Sequence, residues 1–142
     1  MDTQTFAKSV YLGDRACKAL HIDTWNRRVT IQIDTISRIR STSGEWEYYT
    51  EEDIEDGLLV FDGVTFFSLS PPGCLPNDWI SIVDVESVSE QDGVSLSNPQ
   101  FRFTLSLGAV TEAGEGQELS LTLVAAGIHI EDPARPGITI TD

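Results

Sequence analysis

Phe101-Arg102-Phe103-Thr104-Leu105-Ser106-Leu107 and Glu118-Leu119-Ser120-Leu121-Thr122-Leu123 follow one pattern, an apolar residue at every second position. Successive side chains of an extended strand point to opposite faces, so each stretch offers one apolar face to a core and one polar face to water. Ala113-Gly114-Glu115-Gly116 lies between them and supplies turn residues. Two alternating runs around such a turn predict antiparallel strands over 101–109 and 118–125.

The same period runs outward through the chain. Val29, Ile31 and Ile33 alternate with Thr30, Gln32 and Asp34. Ile128 and Ile130 flank His129, and Ile138 and Ile140 flank Thr139. Trp25-Asn26-Arg27 reads as a hairpin tip between strands at 16–24 and 28–36. Asp56-Gly57 and Asp62-Gly63 bracket a strand at 58–62, and Pro71-Pro72-Gly73 ends another at 64–69. The polar, small residues 86–99 read as a loop or weak edge. Helical signal is scarce. A short helix over 2–10 would take Asp2 or Thr3 as its cap, with Phe6 and Val10 on one face. Thr50-Glu51-Glu52-Asp53 has the composition of a helix start, so 45–57 is expected to be an acidic helix or loop. The fold class is therefore mainly β: an antiparallel β-sandwich or open barrel of about 7–9 short strands with one or two short helices.

Length agrees with a single β-rich domain over 1–142, with a loose tail at 132–142. A chain of this size buries about two-thirds of its unfolded surface and needs no covalent staple. Cys17 and Cys74 are expected to be free thiols rather than a disulfide pair. Met1 to Phe6 lacks the basic and apolar regions of a signal peptide, and no apolar run approaches the ~18 residues of a membrane span. The expected location is the cytoplasm.

Charge is distributed very unevenly. Residues 1–40 hold seven basic side chains against four acids, a formal +3, whereas residues 41–142 hold two against nineteen, a formal −17. A net charge of −14 repels nucleic acid and anionic membrane and attracts cationic proteins. The acids from Glu45 to Asp62 have no basic residue among them, and Trp46, Tyr48 and Tyr49 lie inside the run. Acids beside rigid aromatics match the composition of protein-binding hot spots. Trp46, Tyr48, Tyr49, Glu51, Glu52 and Asp53 are thus the candidate partner-binding residues, with a core-anchoring role for Trp46 as the alternative. Arg27, Arg28, Arg38 and Arg40 could bind an anion, but internal pairing with the acids, or pairing with an acidic face of a second copy head-to-tail or as a two-fold dimer, is the simpler use for them.

Signals for chemistry are weak. The segment from Glu51 has Asp56 at its sixth position and Asp62 at its twelfth, where a calcium loop needs glycine and glutamate. His21 and His129 both sit on polar strand faces and are expected to face solvent; ligation of a metal would require their strands to adjoin. No Gly-x-Ser-x-Gly, phosphate loop or dinucleotide fingerprint occurs. Cys74, in Gly73-Cys74-Leu75-Pro76, has no basic neighbour to activate a thiolate. The reading is of a protein that is not an enzyme, with no metal and no cofactor.

Phe61-Asp62-Gly63-Val64, preceded by a strand pair and followed by an aromatic strand, resembles the "F-x-G-V" element of small bacterial immunity-type β domains. Leu12-Gly13-Asp14 stands where those chains open, although Gly13 replaces their usual histidine. The resemblance covers roughly 10–130. It implies a domain that binds and neutralises a polymorphic toxin, and it brings no catalytic residues; many related chains have no assigned role. The expected function is a non-enzymatic acidic binding protein, an immunity-type inhibitor of a basic toxin. The alternatives are a homo-oligomeric structural or assembly module, for which a homodimer is possible, and a small-molecule-binding β-sandwich that the Trp79-Ile80 strand could line.

Overall fold

A computed structural model describes residues 1–39, 52–91 and 93–142. Helix α1 (Thr3–Ser9) opens the chain. Twelve strands follow among the described residues: β1 (Val10–Tyr11), β2 (Cys17–Asp23), β3 (Arg28–Ile33), β4 (Thr35–Arg38), β5 (Ile54–Glu55), β6 (Leu58–Asp62), β7 (Phe66–Ser70), β8 (Ile80–Gln91), β9 (Val94–Val110), β10 (Gly116–Ala125), β11 (Gly127–Glu131) and β12 (Thr139–Ile140). They form three open antiparallel sheets, ordered β12-β11-β6-β3-β2, β7-β10-β9-β8 and β1-β4-β5. The mainly β class holds. The strands outnumber the expected 7–9 because several two-residue strands carry no pattern of their own.

The alternating runs place the core. In the five-stranded sheet Ile31 lies opposite Leu59, and Leu59 opposite Ile130. Val29, Phe61 and Ile128 align in the next row. In the four-stranded sheet Leu121 faces Leu105, Leu119 faces Leu107, and Leu123 faces Phe103. All are buried in one hydrophobic cluster that both sheets and α1 share. The Phe61 and Phe103 rings meet edge-to-face across the seam, with centroids 5.0 Å apart, a geometry that aromatic quadrupoles favour. Full burial of each such side chain contributes about 1.5–3 kcal/mol. The large sheets are also stitched at one end: Cys17 N–H donates to the Asp78 carbonyl at 2.8 Å, and Ala16 bridges to Trp79. The Trp79 ring lies on Gly108, where a Cβ would collide with it. Trp79 therefore seals a sheet corner, and Ile80 is buried in the core behind it.

Several local expectations are corrected. The run 28–36 is two strands. The Asp34 carboxylate accepts N–H bonds from Ala16 and Thr35, both at 2.9 Å, and turns the chain from the five-stranded sheet into the three-stranded one. Of residues 86–99, read as a loop or weak edge, 86–91 and 94–99 are arms of the long β8–β9 hairpin, with β8 at the sheet edge. Glu90 pairs with Ser95 and Gln91 with Val94, and the register slips between Val88 and Glu90. Residues 54–55, within the expected acidic helix or loop, form β5, because Ile54 is buried opposite Ile36. The tail at 132–142 is partly tied down: Ile140 pairs with Ile130 and Thr139 with Glu131.

Helix α1 forms where expected. The Asp2 carboxylate accepts the Thr5 N–H at 2.7 Å, and Phe6 and Val10 are both buried. Seven residues cannot sustain a helix alone, so packing holds it. Arg38, only 1% exposed, lies beneath it, with its guanidinium 4.6 Å from the centre of the Phe6 ring. It donates twice to Ser9 Oγ, at 2.6 and 3.1 Å, and once to the Asp142 carbonyl at 3.3 Å. Arg38 is thus a buried strut and not a surface anion ligand. Burying an arginine is costly unless its donors are met, and these contacts meet several of them. No helix among the described residues is long and apolar enough to cross a membrane.

Replacing Phe103 with alanine should cost about 3–5 kcal/mol of stability with no change in denaturant slope, read by urea unfolding. A loss below about 1 kcal/mol would mean that the ring does not seal the seam. The two cysteines are free, Cys17 buried and Cys74 half-buried with its Sγ 2.8 Å from Gln117 Oε1. Burial pushes the Cys17 thiol up. Native protein should therefore yield one rapidly titrating thiol in a chromogenic disulfide assay and the second only on unfolding.

Candidate protein-docking surfaces

Of the six sequence-derived partner residues, Trp46, Tyr48, Tyr49 and Glu51 lie outside the described residues. Glu52 and Asp53 lead into β5, and both are exposed, as is Glu55. This end of the acidic run is set against basic residues of the first third of the chain. Ser37 Oγ donates to Asp53 Oδ1 at 2.6 Å and itself accepts from Arg15 Nη2 at 2.8 Å. Lys18 Nζ meets Asp56 Oδ1 at 2.5 Å, and the Asp56 carboxylate holds the Lys18 ammonium above its usual range. The acids here are therefore partly countered, while Glu55 is exposed at the rim.

A second polar group occupies the outer face of the five-stranded sheet. Asp62 on β6 accepts from Arg28 Nε on β3 at 2.9 Å, and its other oxygen lies 2.7 Å from His129 Nδ1 on β11. His129 Nε2 faces Glu131 Oε1 at 3.8 Å and makes no hydrogen bond. The alternation placed His129 on the outer face correctly, but the side chain is not solvent-facing; the residue is only 7% exposed. Arg28, Asp62 and Glu131, from three neighbouring strands, converge there, and sequence spacing does not reveal such cross-strand company. His21 is exposed on β2, with β3 and β6 between it and β11, so the two histidines do not meet. Among the described residues no group of three or more His, Cys, Asp or Glu could hold a metal ion.

The β2–β3 hairpin tip is the feature that sequence reasoning located without giving it a role. Trp25 is 93% exposed at its apex, and Ile22 and Phe66 are about half exposed on its flank. Ile22, Arg27, Val64, Phe66 and Phe67 share a shallow cavity of about 220 Å³. The tip is tightly tied: Asp23 accepts from Asn26 N–H at 3.0 Å and from Asn26 Nδ2 at 2.9 Å, and Arg27 takes φ 53° to close the turn. A tryptophan held outward beside an arginine has the composition of an interface hot spot. The available signal was the tryptophan in a turn, where small polar residues usually suffice.

A deeper groove of about 480 Å³ runs between α1–β1 and β8. Ala7, Val10 and Leu12 form one wall and Ile80, Ile82 and Val85 the other, with Lys8 and Asp84 at the lining. β1 and β8 are each an outer strand of their sheet.

The whole chain, residues 1–142, matches the family model described as Family of unknown function (DUF6258). The chain belongs to that family. Comparison with curated proteins and with solved structures gives no match. For this DUF6258 member, the surfaces above are the basis on which a role has to be argued.

The tip also yields a titration. Hydrogen bonds from the Asn26 side chain and then its backbone N–H hold the Asp23 carboxyl below its usual 3.8. Because the folded value is depressed, this contribution is present above the unfolded value and is lost as pH falls through the folded one. The Asn26 amide resonance should titrate with a midpoint below 3.8 in an NMR pH series. A midpoint at or above 3.8 would mean that the turn is not held by Asp23.

Proposed function

We propose that this protein is a non-enzymatic docking module that engages a cationic protein partner through its acidic surface. The observation that carries the reading is how the basic side chains are used. Lys18 pairs with Asp56, Arg28 with Asp62, Arg102 with Glu86 and Arg135 with Asp132, while Arg38 is buried beneath α1. With those cations engaged inside the fold, the formal −14 is left to acids such as Glu55, Asp84, Glu112 and Glu115, which are exposed. Such a field accelerates encounter with a basic surface and disfavours nucleic acid. Inhibition of a basic toxin, the role implied by the immunity-type resemblance, is the specific form of this proposal; a toxin's cationic active face would present the matching charge.

The test begins with affinity capture from the host lysate at low and high salt, and then measures association kinetics with the captured protein. A stoichiometric cationic partner is expected, with an association rate that falls steeply as salt rises. Glu52→Lys combined with Glu55→Lys spares the Asp53–Ser37 bond and should slow association about tenfold at low salt. An acidic partner, or a rate indifferent both to salt and to the reversal, would contradict the proposal.

A further inference from the structure

We infer that the β2–β3 hairpin tip docks into the α1–β8 groove of a second copy of this chain, making a head-to-tail contact. The tip presents Trp25 almost wholly in water, with half-exposed Ile22 and Phe66 continuing the apolar surface. Exposed apolar surface of this kind marks an interaction site, and tryptophan and arginine dominate such sites energetically. The Asp23–Asn26 bonds already fix the turn, so docking it costs little ordering.

The groove is the complementary element. Its volume of about 480 Å³ falls in the range of sites that enclose a ligand. Its lining is mixed: aliphatic side chains at the floor, with Tyr11, Lys8, Ser81 and Asp84 among them, a surface that can take both an indole and its polar neighbours. The charges match in both directions: the tip carries Asp23 and Arg27, and the groove lining carries Lys8 and Asp84. Arg28, next to the tip, is already paired with Asp62 and takes no part. The groove is also flanked by edge-strand main chain, although the Val85 carbonyl at its end already accepts from Gln4 Nε2 at 3.3 Å. Along Ile80–Val85, β8 pairs only with β9 among the described residues, and β1 pairs only with β4. A register shift between Ile82 and Asp84 leaves Val83 exposed on that edge. Edges of this kind recruit extended segments.

The tip cavity and the groove share no lining residue, so the contact joins two different patches. It is heterologous and builds rings or open chains, not a two-fold dimer. It uses neither Glu52 nor Glu55, so it stands or falls apart from docking to a cationic partner.

Sedimentation velocity of the purified chain at physiological ionic strength, over a concentration series, tests it. Mean mass should rise with concentration. Trp25→Ala, at a site too exposed to affect folding, should weaken association about 30-fold. Arg27→Glu and Asp84→Lys should each weaken it, and together they should restore it. A mixture of Trp25→Ala and Asp84→Lys chains should stop at pairs, since only one intact tip and one intact groove can meet. A chain that stays monomeric up to about 1 mM, or an assembly that Trp25→Ala leaves unchanged, would overturn the inference.

Discussion

The contact of the Phe61 and Phe103 rings marks the constraint on which the structure depends: two sheets must bury one face each against the other. Every strongly alternating run contributes to that seam, from Val29–Ile33 and Leu59–Phe61 on one side and Phe103–Leu107 and Leu119–Leu123 on the other. Once those faces are buried, the outer faces are left to polar residues, and the connecting turns become the places where side chains can serve other purposes. The helix adds a third layer at one end. Its seven residues persist because Phe6 and Ser9 lie over the Arg38 guanidinium. Arg38 thereby joins α1 to β4 and to the main chain at Asp142.

What could be read from the sequence divides along a physical line. Where one face is buried and the other wet, hydrophobicity alternates, so β6 appears at 58–62 as expected, and β10 extends its expected 118–125 by only two residues. Where a strand is wet on both faces there is nothing to alternate. The outer arms of β8 and β9 carry Glu90, Ser95, Asn98 and Pro99 at exposed positions and read as a loop, although main-chain pairing makes them a hairpin. β5 escaped because two residues are too few to show a period, and Ile54 is placed by its partner Ile36.

Residues with polar chemistry were legible in position and not in company. His129 lies on the face that the alternation assigned to it. Its burial comes from Asp62 and Glu131, and the Asp62 contact depends on a strand order that the sequence does not disclose. Arg38 shares a face of β4 with the buried Ile36 and is enclosed with it, because α1 folds back over that strand. In the basic first third of the chain, conspicuous as a charge asymmetry, Lys18 and Arg28 pair with acids brought near by folding, and Arg38 is buried beneath α1. The resulting surface carries exposed acids, a Trp25 held outward on a tied turn and a groove between α1–β1 and β8.

The most direct measurement of the central structural claim is native-state hydrogen exchange followed residue by residue through rising denaturant. If the two large sheets share one core, the slowest amides of β3, β6, β9 and β10 should converge on a single opening free energy equal to that of global unfolding. If the amides of β9 and β10 exchange through an opening well below that of β3 and β6, the sheets are separate cooperative units and the seam at Phe61 and Phe103 does not unite them.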